Sequence, residues 1–484
     1  MVSGGIQNII KIIYMRKPKK PLPILEKVLI TDAGSEGKAI ARVGEMVVFL
    51  PFVVPGDIVD IQVTRSKRNF MEGKAIKFHE YSEKRVDPFC SHFGLCGGCK
   101  WQGMAYEHQL GYKQKQVTDA FDRIGKLDYQ GFSSIVPSRR IQEYRNKLEY
   151  TFSNKRWLWF ENGALADPDP EMRGLGFHLP TMFDRVLDIK HCYLQPEPSN
   201  AIRLAVREFS LKMAWTYYDP RNHAGFLRNL VIRTSSKGEA MVIVVFGEDK
   251  PEQIREMMEF ITEKFPDLWS LYYIINIKDN DTYSDLEPVL YRGNPHLDEY
   301  LEDLVFRIGP LSFYQVNIEQ SYALYKFVRE FAGLTGKEIV YDLYTGTGTI
   351  ALFLARLAKK VIGIEYVEAA IKDAYENSTF NNITNASFFA GDLAKTLTAE
   401  FIEANGIPDV IITDPPRAGM HEKVIEQIIA ARPEKLVYVS CNPATQARDL
   451  ALLKDYYDIV AVQPVDMFPH TQHVENVILA ISKK

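Results

Sequence analysis

Two residues in the last part of the sequence could carry out covalent chemistry together. Cys441 follows the apolar residues 436–440, which predict a strand, and Glu475 lies just before the last predicted strand, residues 477–481. A thiolate can add to an unsaturated carbon, and a carboxylate can remove the proton that must leave before the thiol is expelled. A cysteine at a strand end is more often a buried packing residue. The expected placement of both side chains at one sheet edge favours the catalytic interpretation.

A glycine-rich turn follows the predicted strand 338–342 and opens the predicted helix 350–358. The turn begins at Asp342 and contains Gly346 and Gly348, and glycines there allow a ligand to approach the backbone closely. Glu365 ends the next strand, where a carboxylate can accept hydrogen bonds from ribose hydroxyls. The third glycine of a dinucleotide site is absent, because Thr-Ile-Ala follows the second one. The pattern resembles the S-adenosylmethionine site of class I methyltransferases.

A proline motif, Asp414-Pro415-Pro416-Arg417, lies at the carboxyl end of the predicted strand 410–413. Doubly wound sheets bind their ligands at that edge. Many methyltransferases that act on exocyclic amines carry an aromatic residue after Asp-Pro-Pro, and Arg417 stands there instead. A uracil carbon is a different kind of target: carbon 5 becomes enolate-like once a thiolate has added to carbon 6. The proline motif together with Cys441 favours that target.

Four cysteines stand apart from Cys441. Cys90, Cys96 and Cys99 fall within ten residues, and Cys192 lies much further along the chain. Four thiolates suit either tetrahedral zinc or a [4Fe–4S] cluster, and the spacing alone leaves both open. Zinc sites more often contain two C-x-x-C pairs. The spacing also differs from the C-x3-C-x2-C of radical S-adenosylmethionine enzymes, which argues against a reductive role.

Three regions with different patterns must position these residues. Residues 23–82 contain short apolar segments separated by turns, which predict a small OB-like β-barrel. Residues 83–310 mix strands and helices and contain the four cysteines, so we expect an α+β central domain. Residues 311–484 alternate strands and helices, which predicts a parallel, doubly wound, Rossmann-like sheet. Residues 1–22 are expected to be a disordered or start-site extension.

Charge and composition restrict the kind of protein. With 46% hydrophobic and 25% charged residues the chain has a globular balance, and its net charge is −4. Residues 1–86 nevertheless hold 15 Lys and Arg against 9 Asp and Glu, and such a basic region is typical of phosphate binding. No apolar run is long enough to cross a membrane, and no signal-peptide pattern is present. The five cysteines, an odd number, then favour reduced thiols and a cytoplasmic location.

Five segments match one protein family in the family's own order. They are Phe313-Tyr314-Gln315-Val316-Asn317, the turn from Asp342 to Gly348, the motif from Asp414 to Gly419, Ser440-Cys441-Asn442-Pro443-Ala444-Thr445, and the run from His470 to Glu475. Any one could arise by chance, but five in order make coincidence remote. On these motifs the chain resembles the class I RNA uracil-5-methyltransferases, most closely the iron–sulfur-containing 23S rRNA type with an N-terminal TRAM domain. The resemblance extends from about residue 23 onward.

The resemblance implies a role for individual residues. It implies Cys441 as the nucleophile that adds to uracil carbon 6 and Glu475 as the base that removes the carbon-5 proton. Phe313 would help hold a uridine extruded from its stack. The implied contacts to S-adenosylmethionine are Gln315, Tyr344, Glu365 and Asp414, with Thr349 and Asp392 as weaker candidates. The implied ligands of a [4Fe–4S] cluster, in preference to zinc, are Cys90, Cys96, Cys99 and Cys192.

Other functions remain open at this point. A tRNA uracil-5-methyltransferase would share these catalytic motifs. An RNA cytosine-5 methyltransferase would usually carry a further cysteine where Arg417 stands. A catalytically silent iron–sulfur RNA-binding protein would have lost some catalytic residue types, and all of them are present. RNA is the expected partner in each case, with neither a membrane nor an obligate protein partner.

Overall fold

The computed structural model describes residues 22–158, 160–161, 164–165, 169–180 and 182–483. The expected extension at residues 1–22 lies outside these residues apart from Leu22. The chain forms two compact units, which we describe separately. Of the described residues, the first contains 22–33 and Lys38–Arg85, and the second contains Gly34–Gly37 and those from Val86 onward. No helix in these described stretches is both long and apolar enough to cross a membrane.

The first unit is a closed five-stranded barrel with the strand order β1-β2-β3-β5-β4. Its strands are β1 (Ile24–Ala33), β2 (Ala39–Val43), β3 (Met46–Leu50), β4 (Ile58–Ser66) and β5 (Phe70–Glu80). Alternating residues point inward, and Val48, Leu50, Val59 and Ile61 are fully buried. Closure leaves this sheet no free edge. The prediction of a small β-barrel is confirmed.

The first part of the second unit is a mixed sheet with two covering helices. After α1 (Tyr106–Ala120), which continues into a π-helical turn at Phe121–Gly125, seven strands pair in the order β10-β9-β6-β11-β12-β13-β14. The elements are β6 (Lys147–Ser153), β7 (Phe160–Glu161), β8 (Ala164–Leu165), β9 (Gly174–Leu179), β10 (Met182–Leu187), α2 (Ser199–Lys212), β11 (Leu227–Thr234), β12 (Ala240–Phe246), α3 (Pro251–Lys264), β13 (Ser270–Ile275), β14 (Val289–Gly293), β15 (Leu297–Leu301) and β16 (Leu304–Ile308). Strands β11 and β12 are buried along their whole length, as expected of central strands covered by helices.

The last part of the second unit is a seven-stranded sheet with helices on both faces. Its elements are α4 (Ile318–Ala332), β17 (Ile339–Leu343), α5 (Thr349–Ala355), β18 (Lys360–Glu365), α6 (Glu368–Phe380), β19 (Ala386–Ala390), α7 (Leu393–Thr396), α8 (Ala399–Asn405), β20 (Val410–Thr413), α9 (Glu422–Ala431), β21 (Lys435–Ser440), α10 (Pro443–Leu453), β22 (Tyr457–Val465) and β23 (Glu475–Ser482). Alternate residues of one strand enter different cores: Val340 packs on one face and Tyr341 on the other. The prediction of a doubly wound, Rossmann-like sheet is confirmed.

One strand of this sheet runs against the prediction. The order is β19-β18-β17-β20-β21-β23-β22, and β23 is antiparallel to both of its neighbours. The expectation of a wholly parallel sheet is therefore wrong for β23. The reason is the connection: a short loop joins β22 to β23, whereas a parallel pair would need a long crossover. Because β23 is reversed, it begins at the edge where the parallel strands end.

Candidate active site

The carboxyl edge of this last sheet collects residues from five separate motifs. Strands β17, β18, β20 and β21 end there, and β23 begins there. Within the sheet, Leu343 pairs with Ile364 and Thr413, and Ser440 pairs with Asn476. The residues that follow or precede these positions are therefore neighbours across the edge. They are Tyr344, Glu365, Asp414, Cys441 and Glu475.

The glycine-rich turn is held by a buried carboxylate. The Oδ2 atom of Asp342 accepts hydrogen bonds from the Thr345 hydroxyl at 2.6 Å and from the Ala351 backbone N–H at 3.1 Å. The other oxygen, Oδ1, is buried without a hydrogen-bond partner among the residues that the structure describes. The backbone N–H of Gly346 donates to Glu365 Oε2 at 3.2 Å, which joins the turn to the end of β18. The turn thus offers an unused acceptor beside a carboxylate at the next strand end.

Close packing explains one glycine of this turn. Gly348 has a φ of 78°, and a Cβ atom there would lie 3.0 Å from the Ala374 side chain and 3.1 Å from the Phe388 ring. Both the backbone conformation and the space therefore favour glycine. Tyr344 adopts a φ of 63° without being glycine, which turns the backbone sharply at the end of β17.

Three carboxyl groups in this edge have raised pKa values. Burial raises the pKa of Asp342 to about 7 and that of Asp414 to about 7, and the charge of Asp342 adds to the effect on Asp414. Burial raises the pKa of Glu475 to about 8; Asp414 raises it further, while Arg417 lowers it. Perturbed carboxyls in a cleft mark a candidate site for proton transfer.

Cys441 lies between the end of β21 and the start of α10. Asn442 caps that helix by accepting a hydrogen bond from the Ala444 N–H at 3.2 Å. The Asn442 amide and the Thr445 hydroxyl both donate to the backbone oxygen of Arg417, at 3.0 and 3.2 Å. These bonds tie the loop that carries the thiol to the proline motif.

The thiol of Cys441 is half-buried, and its environment opposes ionisation. Burial raises the pKa of Cys441 to about 11; the charges of Glu475 and Asp414 raise it further, and Arg417 lowers it. The antiparallel register of β21 and β23 places Cys441 near Glu475: Ser440 pairs with Asn476, so the next pair in the same register is Cys441 and Glu475. The structure brings these two predicted residues together.

A buried amide pair that the sequence did not predict connects α10 with β21 and β23 next to Cys441 and Glu475. We call this junction of the two strands the seam. Gln446 Nε2 donates to the backbone oxygens of Tyr438 at 2.9 Å and Asn476 at 3.3 Å. Asn476 Nδ2 in turn donates to Gln446 Oε1 at 2.8 Å, and both side chains are fully buried. The available signal was Asn476 beside the apolar run 477–481, since a buried amide needs a partner; Gln446 lies among other polar residues of α10 and gave no signal.

His473 and Arg417 face each other beside this seam. The Arg417 Nη2 atom lies 3.4 Å from both ring nitrogens of His473. Burial lowers the pKa of His473 to about 4, and the charge of Arg417 lowers it further. The imidazole is therefore neutral at physiological pH.

Phe313 and Thr349 lie beside the glycine turn, and Gln315 follows Phe313 by two residues. Phe313 has two thirds of its side chain exposed, and its backbone oxygen lies 3.5 Å from the Thr347 hydroxyl. That hydroxyl is 3.3 Å from the one of Thr349. Gln315 is half-buried, and its backbone oxygen accepts a hydrogen bond from Asn146 Nδ2 at 3.0 Å. Phe313 and Thr349 are thus both brought to the glycine turn.

Asp392 lies next to the end of β18. The N–H of the preceding residue, Gly391, donates to the backbone oxygen of Glu365 at 2.8 Å. The Asp392 carboxylate caps α7 by accepting from the Ala394 N–H at 3.1 Å. One of its oxygens is thus already used by the helix.

The four other cysteines share one neighbourhood without forming disulfides. Cys192 belongs to the apolar core below β11 and β12, and Cys96 and Cys99 pack against it. Burial raises the pKa of Cys96 to about 11 and that of Cys99 to about 12, and the charges of the other cysteines raise both further. Across the described stretches, however, no group of three or more His, Cys, Asp or Glu side chains is arranged to hold a metal ion. The thiols suit a thiolate-bound group chemically, and the predicted cluster stays a prediction.

Two protein-family models match separate parts of the chain, one in the last sheet region and one in the barrel. The model of the tRNA (uracil-5-)-methyltransferase family matches residues 301–483, and the TRAM domain model matches residues 26–76. The chain is 55% identical to an uncharacterized RNA methyltransferase of Bacteroides thetaiotaomicron, over 92% of this chain and 99% of the relative. It is 53% identical to one of Porphyromonas gingivalis, over 93% of this chain and 99% of the relative.

A solved structure resembles nearly the whole chain. It is the tRNA (uracil-54, C5)-methyltransferase of Pyrococcus abyssi, crystallised with S-adenosyl-L-homocysteine. The TM-score is 0.72 at 28% identity, over 94% of this chain and 100% of that one. With the TRAM barrel, the Rossmann-like sheet and these relatives taken together, the chain belongs to the RNA (uracil-5-)-methyltransferase family.

Proposed function

We propose that this protein transfers a methyl group from S-adenosylmethionine to carbon 5 of a uracil in RNA, with Cys441 as nucleophile and Glu475 as base. The observation that carries the proposal is the register of β21 and β23, in which Cys441 and Glu475 occupy the next paired position beside the cofactor turn. A nucleophile and a base on facing strands meet the geometric requirement of covalent catalysis.

The reaction uses the thiol twice. The Cys441 sulfur, deprotonated, forms a bond to carbon 6, and the electron pair of the carbon 5–carbon 6 double bond moves toward the carbon-4 oxygen. Carbon 5 then attacks the methyl group that S-adenosylmethionine supplies when bound, leaving a neutral thioether. Glu475 removes the carbon-5 proton; the double bond re-forms and the Cys441 thiolate is expelled.

The raised pKa of Glu475 suits this last step. A carboxylate whose proton is held with a pKa of about 8 is a stronger base than an exposed one. Arg417 lowers the pKa of both Cys441 and Glu475, so it favours the ionised form of each. The neutral His473 adds no positive charge to this pair.

We infer that the methyl donor binds against the glycine turn. Glu365 would accept from the ribose hydroxyls, and Asp414 with the unpartnered Asp342 oxygen would accept from other donors of the ligand. Tyr344, Thr349 and Asp392 lie at or beside the same edge, and Gln315 completes the proposed contacts. The related P. abyssi enzyme was crystallised with S-adenosyl-L-homocysteine, which supports this cofactor.

For the RNA substrate we propose 23S rRNA, with Phe313 beside the extruded uridine and residues 23–82 as an RNA-binding TRAM barrel. The cysteine pattern supports this choice, because it resembles the iron–sulfur 23S rRNA type. A tRNA is the second candidate, favoured by the similarity to the P. abyssi tRNA enzyme. A cytoplasmic location follows from either substrate.

The test is methyl transfer from labelled S-adenosylmethionine to unmodified 23S rRNA and, separately, to unmodified tRNA, with nucleoside analysis. We expect 5-methyluridine in 23S rRNA, none with Cys441→Ala, and a denaturation-stable RNA adduct with Glu475→Gln. Glu426→Gln, on the exposed face of α9, is the matched control and should behave as wild type. Methylation that survives in Cys441→Ala would refute the mechanism; label in tRNA alone would change the substrate.

We also propose that Cys90, Cys96, Cys99 and Cys192 bind a [4Fe–4S] cluster, because four undisulfided thiols share one neighbourhood outside the catalytic edge. Anaerobically purified protein should contain about four irons and four sulfides per chain. Cys99→Ala should lose them, and Cys441→Ala should keep them. Stoichiometric zinc without iron in the anaerobic protein would contradict the cluster.

A further inference from the structure

The loop 466–474 joins β22 to β23 and leads directly into Glu475. It has no helix or strand of its own, so its shape depends on partners elsewhere in the second unit. Those partners come from α1, from the segment that follows Cys99, and from α4. Together they contact the loop from Asp466 to His470.

A buried ion pair from α1 holds the start of the loop. Lys113 Nζ lies 2.5 Å from Asp466 Oδ1 and also donates to the backbone oxygen of Phe468 at 2.9 Å. The Tyr106 hydroxyl donates to the other oxygen, Asp466 Oδ2, at 2.7 Å. The side chains of Lys113 and Asp466 are both completely buried.

A second set of bonds holds the middle of the loop at His470. Gln109, one turn before Lys113 on α1, accepts the His470 N–H at 2.9 Å through Oε1. The N–H groups of Lys100 and Trp101 both donate to the His470 backbone oxygen, at 2.9 and 3.0 Å. His470 has a φ of 64°, a conformation that needs such support in a residue other than glycine.

The opposite side of the loop is held from α4. Gln320 Nε2 donates to the backbone oxygen of Asp466 at 2.9 Å. Asn317, which caps α4, donates to the backbone oxygen of Met467 at 3.0 Å. The loop that leads into Glu475 is therefore hydrogen-bonded from both sides.

A fully buried lysine–aspartate pair is poor evidence for added stability, because a protein in which apolar residues of similar volume replace such a pair is often at least as stable. The role of the pair is instead to position the loop, since its hydrogen bonds determine the path of the loop backbone. The proposed base must lie within hydrogen-bond distance of the proton that it removes. A displacement of about 1 Å can slow such a step by about 10²-fold.

We propose that Lys113, together with Tyr106 and Gln109, is a positioning residue for proton removal by Glu475. The inference rests on the proposed function and deepens it. Loss of the pair leaves Cys441, the glycine turn and the methyl-transfer step in place. It slows the elimination that releases the product, so the methylated covalent adduct builds up.

The experiment compares Lys113→Met and Tyr106→Phe with the control Lys115→Met. Lys115 lies on the same helix in a partly exposed pair with Asp119. Two quantities are measured with the methylatable RNA and labelled S-adenosylmethionine: the rate of 5-methyluridine release, and the fraction of enzyme in a denaturation-stable adduct that carries the label. We expect about 10²-fold slower release for Lys113→Met with a large labelled adduct, a smaller effect of the same kind for Tyr106→Phe, and no change for Lys115→Met.

If Lys113 had only a structural role, its replacement would lower the rate of 5-methyluridine release and the fraction of labelled adduct together. Variants that fold and release product at the wild-type rate, or that lose release without accumulating adduct, would overturn the inference. Tyr106→Phe removes one hydroxyl only, so it decides the matter if Lys113→Met does not fold. Absence of both product and adduct from wild type and Lys115→Met would overturn the proposed function itself, and this inference with it.

Discussion

Replacing Glu475 by glutamine should stabilise the protein while removing its activity. The carboxyl is buried, and its pKa is raised from 4.5 to about 8. A glutamine has nearly the same shape and carries no charge that burial opposes. The wild-type residue is thus expected to be retained at the expense of stability, as catalytic groups often are.

The magnitude and its sign follow from proton linkage. Below pH 4.5 the folded and unfolded states both hold the proton, and the group has no effect. Between pH 4.5 and 8 only the unfolded state releases it, so stability falls as the pH rises, by about 1.4 kcal/mol per unit. The loss reaches about 5 kcal/mol above pH 8, and Glu475→Gln removes it.

The assay is urea unfolding followed by tryptophan fluorescence, since the four described tryptophans, Trp101, Trp157, Trp215 and Trp269, lie in the second unit. The free energy of unfolding of Glu475→Gln should exceed that of wild type by about 3 kcal/mol more at pH 8.5 than at pH 5.5. Glu426→Gln on the surface of α9 should show no such pH-dependent difference. An advantage of Glu475→Gln that does not grow with pH, or a loss of stability at pH 8.5, would refute the reasoning.

Three further predictions concern the site and its support. The rate at which a preformed covalent adduct of the wild-type enzyme breaks down, followed by quenching, should rise about tenfold between pH 7 and a plateau above pH 8, because Glu475 ionises over that range. A rate that does not change with pH would exclude Glu475 as the base. Gly348→Ala should weaken S-adenosylmethionine binding about tenfold by calorimetry, because a Cβ there is both strained and crowded; Gly336→Ala, at positive φ with open space, should leave binding intact. Lys113→Met should lower the free energy of unfolding by about 3–5 kcal/mol, because Asp466 is left buried and charged. The double variant with Asp466→Leu should recover most of that loss, and a double variant as unstable as the single one would count against the explanation.

The grouping of the candidate site residues could be anticipated because parallel strands bring their carboxyl ends to one side of a sheet. Tyr344, Glu365, Asp414 and Cys441 each follow an apolar strand pattern, so their sequence positions already placed them at that edge. For Glu475 the motif pointed to a residue that the structure places next in register to Cys441, but the direction of β23 could not be read from the motif. Apolar residues report burial, and they carry no information on whether a strand runs parallel or antiparallel.

The support of the site could not be predicted in the same way. Lys113 and Asp466 are separated by 353 residues, and a single lysine in a helical pattern is usually solvent-exposed. Their pairing depends on how α1 packs against the loop 466–474, which is a property of the tertiary structure. Gln446 and Asn476 pair across a helix and a strand for the same reason.

For the four cysteines outside the candidate site, the sequence suggested more than the structure shows. The structure places Cys192 close enough to Cys90, Cys96 and Cys99 for their charges to affect one another's pKa, whereas their role as ligands of one group stays a prediction. Spacing carries no information on side-chain rotamers, and the thiols in the structure are not arranged as metal ligands. The identity of the metal therefore depends on the measurement of iron, sulfide and zinc.

The insertion of β23 between β21 and β22 also sets the order in which the sheet can be completed. β23 is synthesised after every other strand of the sheet, yet it lies inside it. Until it emerges, β21 and β22 each present an unpaired edge, and such edges readily pair with other chains. A nascent or truncated chain that stops before Glu475 is thus expected to depend on chaperones and to aggregate when they are lacking. Because the same strand delivers the proposed base, an incompletely synthesised chain would contain the proposed RNA-binding barrel without the residue proposed to complete a methylation cycle.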